Sequence, residues 1–170
     1  IDVTWLSNVL YDESGFYWVA THDGLIKAKP ALFKKYPIKT FYNVQEVYSF
    51  RETGDGKFLL GANRGKLYVQ EADSFRFFFP DQQRIVPLAE IFDIYEDERK
   101  WLWFGTGYQG IAVYRKGKIT RYMAANGMHD DSIKKFFKSS DGKLYAIGDF
   151  GVTEIMVGKN DSIYFKKYKT

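Results

Sequence analysis

A chain of 170 residues that is 45% hydrophobic and 19% aromatic is long enough to bury a core and too aromatic to be disordered. Its net charge of +4 is mild. Its lysines come as doublets (Lys34-Lys35, Lys134-Lys135, Lys166-Lys167) rather than as the dense basic stripe of a nucleic-acid binder, so no nucleic-acid partner is expected. The absence of cysteine excludes disulfides and thiolate metal sites, and no apolar run approaches the roughly 18 residues of a membrane helix.

In chain order, the first segment reads as four short strands, Ser7–Glu13, Phe16–Thr21, Leu25–Lys29 and Leu32–Tyr36, separated by turn sequences such as "ESG" and "DG". The stretch Phe16–Ile26 returns as Lys57–Leu67, Trp101–Ile111 and Lys143–Val152. The anchors Trp18, Leu59, Trp103 and Tyr145 are spaced by 41, 44 and 42 residues. Nine residues before them stand Val9, Phe50, Ile94 and Phe136, and twelve before stand Leu6, Val47, Ile91 and Ile133. Three before stand Gly15, Gly56, Lys100 and Gly142, so only the third unit lacks the turn glycine. No segment carries a long apolar pattern of period 3.6. Four units of about 1–37, 38–80, 81–123 and 124–170, each with room for a four-stranded meander, predict an all-β fold, a β-propeller of four antiparallel blades.

The third unit contains "GTGYQG", Gly105–Gly110, which has the G-x-G-x-x-G spacing of a dinucleotide loop. Such a loop must open a helix, whose N-terminus then faces the pyrophosphate. Here "IAVYRKGKITRY" follows, which reads as strand, turn, strand. Asp130 and Asp131, about 20 residues on as in the dinucleotide fingerprint, lie in the loop-like "NGMHDDS". The motif is therefore read as a hairpin turn with one extra residue, and no cofactor is expected.

In a blade of this strand order, the turns between second and third strands share one face with the blade-to-blade connections. The candidate ligand-binding residues are those turn tips: His22, Asp23, Asn63, Arg64, Tyr108, Gln109, Asp149 and Phe150. The connections add residues of Tyr42–Glu46, Asp81–Glu90 and Asn126–Asp131. Aromatic rings stack on a sugar ring while amide, carboxylate and guanidinium groups satisfy its hydroxyls, so an oligosaccharide or similar small ligand is the expected partner. His22 and His129 have no companions at metal-ligand spacing, and no metal is expected. "LYDESGFYW" resembles a sialidase box, but Leu10 occupies the Ser position and the Asp-to-Gly spacing is three rather than two. Asp12 is read as a turn residue, and no catalytic residue is assigned. The alternatives are a protein–protein interaction propeller with no small ligand and, less favoured, a propeller glycoside hydrolase or lyase.

"NVLYDESGFYWVATHDGLIKA" and "NGMHDDSIKKFFKSSDGKLYAIGDFGV" resemble the two-component regulator propeller repeat. Asp12, Gly15, Trp18, Thr21, Gly24 and Leu25 match it in the first unit. Asp97, Trp103, Gly105, Thr106 and Gly110 match it in the third, with one residue inserted before Gly110. Leu59 and Tyr145 replace Trp in the second and fourth. The resemblance implies the periplasmic sensor part of a bacterial hybrid two-component receptor that answers to oligosaccharides. A histidine kinase and any membrane attachment would lie in other parts of the chain. It also implies about seven blades per propeller, so four units are expected to be a partial propeller. Its partners would be the remaining blades and signalling domains of the same receptor, or a second copy in a homodimer.

Overall fold

The computed structural model describes residues 6–22, 24–29, 32–36, 46–72, 74–79 and 89–168. The strands come in four groups, each an antiparallel sheet in sequential order. The first blade is β1 (Leu6–Tyr11), β2 (Tyr17–Thr21), β3 (Gly24–Lys29) and β4 (Leu32–Tyr36); the second is β5 (Val47–Glu52), β6 (Phe58–Ala62), β7 (Leu67–Glu71) and β8 (Ser74–Phe77). The third is β9 (Ile91–Glu96), β10 (Leu102–Thr106), β11 (Ile111–Arg115) and β12 (Lys118–Tyr122); the fourth is β13 (Ile133–Lys138), β14 (Leu144–Gly148), β15 (Val152–Val157) and β16 (Ile163–Tyr168). This is an all-β propeller of four-stranded blades. Helical geometry among the described residues is confined to two short 3-10 turns, Asn63–Gly65 and Ala124–Asn126.

Each first hairpin is closed by the side chain six residues before the blade's anchor. Asp97 Oδ1 accepts from the amides of Arg99 and Trp101, and its Oδ2 accepts from the Trp103 indole N–H at 3.1 Å. Asp12 repeats this with Phe16 N and with Trp18 Nε1 at 2.7 Å. The second and fourth blades have no indole at that position, and Thr53 and Ser139 take over with hydroxyls that bridge Lys57 and Lys143. A carboxylate appears where a buried N–H needs an acceptor, and a hydroxyl suffices elsewhere.

Side chains alternate across each blade, so a blade with neighbours on both sides feeds two inter-blade cores. Trp18, Ala20 and Leu25 of the first blade pack on Phe50, Phe58 and Leu60 of the second. Leu59, Leu67 and Val69 of the second pack on Ile91, Ile94, Leu102 and Phe104 of the third. Trp103, Ile111 and Val113 of the third pack on Ile133, Phe136 and Ala146 of the fourth. Fully burying one such side chain contributes about 1.5–3 kcal/mol, so these cores dominate the stability. Polar ties reinforce them: Ser49 donates to Ile91 O, and buried Asp93 accepts from Phe136 N at 2.7 Å and Lys135 Nζ at 3.0 Å. Burial pushes the Asp93 carboxyl up from its ordinary value, against the lowering effect of those two donors.

Candidate ligand-binding face

The innermost strand of each blade carries a β-bulge at the same register. The pairing shifts between Leu6 and Asn8, Val47 and Ser49, Ile91 and Asp93, and Ile133 and Lys135. The extra residues are Ser7, Tyr48, Phe92 and Lys134. A bulge kinks the strand and re-aims a side chain. Tyr48 and Phe92 meet edge to face with ring centroids 5.5 Å apart, and Lys134 Nζ stands 4.0 Å from the Phe92 centroid.

This cluster links the turn tips of the first and fourth blades into one string across the molecule. His22 Nε2 pairs with Glu46 Oε1 at 2.8 Å, and Glu46 accepts a short hydrogen bond from Tyr48. Tyr48 touches Phe92, Phe92 carries Lys134, and Lys134 pairs with Asp149 at 3.5 Å. Contacts thus run from the first blade to the fourth. Burial and the neighbouring carboxylates of Glu46 and Glu90 hold the Tyr48 phenol above its ordinary pKa, so it stays a neutral donor.

The turns are pinned to the connections by backbone hydrogen bonds. Asn63 N donates to Glu46 O, Gly65 N to Ala89 O, Gly107 N to Glu90 O and Gly110 N to Asp131 O. Phe150 N donates to Asp130 Oδ2 at 2.7 Å. Turns and connections therefore occupy the same face, as the strand order requires. Tyr108 and Phe150, on the tips of the third and fourth blades, are 74% and 76% exposed. Gln109 is half-buried beside Tyr108, and exposed Arg64 sits in a 3-10 turn with φ of 56°. Asp23 and most of the first two connections lie outside the described residues.

The sequence missed Tyr48, Phe92 and Lys134. Tyr48 follows an inward Val47 and precedes a buried Ser49, so simple alternation hides it; the common register of the four bulge residues was the available clue. The glycines of "GTGYQG" have separate structural causes. A Cβ on Gly105 would run into Ile133 of the next blade, one on Gly107 into Glu90 and Phe92, and one on Gly110 into the Tyr122 carbonyl. Gly110 also has φ of 70°, and Thr106 Oγ1 closes the turn onto its carbonyl at 2.8 Å. No phosphate cradle is formed.

A cavity of about 660 Å³ lies in the axial groove, towards the opposite end of the blades. Asn8, Arg51, Glu52, Asp93, Glu96 and Lys135 are among its lining residues. At that end Asp12 is spent on its turn: against the upward push of burial, hydrogen bonds from Phe16 and Trp18 and the Lys27 charge lower its pKa. Among the described residues no three His, Asp or Glu side chains are grouped to hold a metal ion.

Residues 86–108 match the family model described as two component regulator propeller. No curated protein matches the chain in sequence. Among solved structures, the extracellular domain of the putative hybrid two component system BT3049 from B. thetaiotaomicron superposes with a TM-score of 0.74 at 21% identity. It covers 99% of this chain and 25% of that one. The extracellular domain of the putative one component system BT4673 from the same organism gives 0.72 at 13% identity over 97% of this chain and 27% of that chain. This chain thus spans about a quarter of the length of those two. Virginiamycin B lyase from Staphylococcus aureus gives 0.70 at 14% identity, covering 97% of this chain and 56% of the lyase. At these identities the likeness establishes the fold.

Proposed function

We propose that this chain, which carries the two component regulator propeller repeat, is a non-enzymatic sensor module that binds an oligosaccharide on its turn face. In this reading it works outside the cytoplasm, in the periplasm, and reports to a histidine kinase beyond these residues. The observation that carries the proposal is the pair Tyr108 and Phe150, two largely exposed rings on tips fixed by backbone hydrogen bonds. Rings held open to water on rigid turns are preorganised for stacking, and a ligand that covers them gains apolar contact at little ordering cost. The flanking Gln109, Arg64, Asp149 and His22 supply donors and acceptors suited to hydroxyls.

Two features favour binding over hydrolysis. The carboxylates of Asp12 and Asp97 are engaged by their own turns, and Asp149 is paired with Lys134. The likeness to a lyase is one of fold.

The test is a thermal-shift screen against oligosaccharides at millimolar concentration, followed by calorimetry. A cognate sugar raises the melting temperature by binding the native state. Tyr108→Ala and Phe150→Ala each weaken it by roughly tenfold, about 1.4 kcal/mol. Glu52→Ala, in the axial groove, leaves it unchanged. Loss of affinity on Glu52→Ala with none on the two aromatic variants moves the site to the groove. Turnover of chromogenic glycosides would overturn the non-enzymatic reading.

A further inference from the structure

Arg51 departs from the repeat at a position where packing asks for no charge. Eight residues before the anchors stand Leu10, Arg51, Tyr95 and Phe137, so three of the four units place an apolar or aromatic side chain there. Leu10 and Tyr95 pack against the inter-blade cores. Arg51 instead lies half-buried on the lining of the axial cavity of about 660 Å³, its guanidinium 5.5 Å from the Tyr95 ring centroid. That ring steadies the cation but offers no oxygen. The Nε–H is buried and meets no acceptor, and no carboxylate of the described residues pairs with the guanidinium. A half-buried cation of this kind costs stability unless something outside the chain answers it. Arg51 and Tyr95 belong to the second and third blades, each of which has a blade packed on both sides. The unpaired state therefore does not arise at either end of the array.

Most other charges on the lining are engaged within the chain. Lys135 pairs with Asp93 at 3.0 Å, and Glu96 accepts from Gly54 N at 2.6 Å and pairs with Lys100 at 3.7 Å. Asp12 is held by its own turn. Glu52, which follows Arg51 in β5, and Glu13 are exposed on the same lining and pair with no cation among the described residues. We infer that the cavity binds a small zwitterion of the amino-acid class, its carboxylate on the Arg51 guanidinium and its ammonium on Glu52. A planar guanidinium takes a carboxylate through two parallel N–H donors, and the Tyr95 ring holds that fork in one orientation. One unspent cation beside unspent carboxylates matches a ligand that carries both signs. A plain anion would meet the repulsion of Glu52 and Glu13 with nothing to offset it. The volume falls within the usual range of roughly 300–1,000 Å³ for small-molecule sites. The cavity lies at the opposite end of the blades from the turn face, so this site and the sugar site stand or fall separately.

The buried Nε–H exchanges slowly with water, which makes the Arg51 side chain directly observable by nitrogen-15 NMR. Its signal, assigned through its own side-chain carbons, is followed while each standard L-amino acid is titrated to about 20 mM. At least one amino acid shifts it saturably. Acetate and methylamine, each carrying one half of the ligand, bind at least about tenfold more weakly. Arg51→Lys keeps the charge and loses the planar fork, and it weakens the amino acid at least about tenfold with an unchanged circular dichroism spectrum. The wild-type titration decides the matter by itself if that variant fails to fold. An Arg51 signal that no amino acid moves overturns the inference. So does acetate that binds as tightly as the best amino acid. An equal shift at exposed Arg99 and Arg121 overturns it too, because it reports general association of anions with surface cations.

Discussion

Asp97 and Trp103 work as one unit. The carboxylate organises the turn with one oxygen and caps a buried indole N–H with the other. Asp97→Ala leaves that donor without an acceptor in a site that water does not reach, and destabilises the protein by about 2–3 kcal/mol in urea unfolding. Thr53→Ala removes a hydroxyl that serves the Lys57 backbone and the Asp55 carboxylate but no indole, and costs about 1 kcal/mol. This pairing was half visible in the sequence. Asp12 and Asp97 precede Trp18 and Trp103 by the same distance, which marks a turn residue, while the hydrogen bond to the indole needs the folded hairpin. Tyr48, Phe92 and Lys134 were hidden for the opposite reason. Their direction is set by a bulge, and a bulge reverses the inside-outside rule by which a strand is read.

At the scale of the hairpin, the third unit departs from the rest. Gly15, Gly56 and Gly142 take φ of 80°, 78° and 84°, and Lys100 is forced to 63° at the same position. A side chain there is strained by roughly 1 kcal/mol relative to glycine. Lys100→Gly therefore raises stability by about 0.5–1 kcal/mol, measured as an increased urea midpoint at constant slope. The ion pair lost with it, to Glu96 at 3.7 Å, sits at a solvent-exposed lysine and contributes less. The missing glycine could be seen in the sequence because three sister units supplied the comparison. The same comparison identified "GTGYQG" as a turn. The reason for each of its glycines lay in the neighbouring blade or connection, which local reading does not reach.

Across the whole molecule, covered faces decide local stability. The second and third blades are sandwiched on both sides within one chain, and the first and fourth on one side only. In a repeat architecture stability is approximately a sum over units and their interfaces. In these 170 residues taken alone, the amides of β6, β7, β10 and β11 therefore exchange slowest, with β2, β14 and β15 at least about tenfold faster by mass spectrometry. Uniform protection across the four blades would show that the outer faces add little. The blade count was readable because apolar anchors at a fixed period need no tertiary information. The contact string from His22 to Asp149 was not, since its links lie in different units and are brought together only by the curvature of the array.

The hydrogen-bonded Asp–Trp couple has a consequence for descent. Both partners lie six residues apart inside one hairpin. A crossover in a blade-to-blade connection therefore moves acceptor and donor together, and a duplicated or exchanged blade arrives with its indole already capped. Units with Asp and Trp can sit beside units with Thr and Leu or Ser and Tyr, because neither kind asks its neighbour for the missing half.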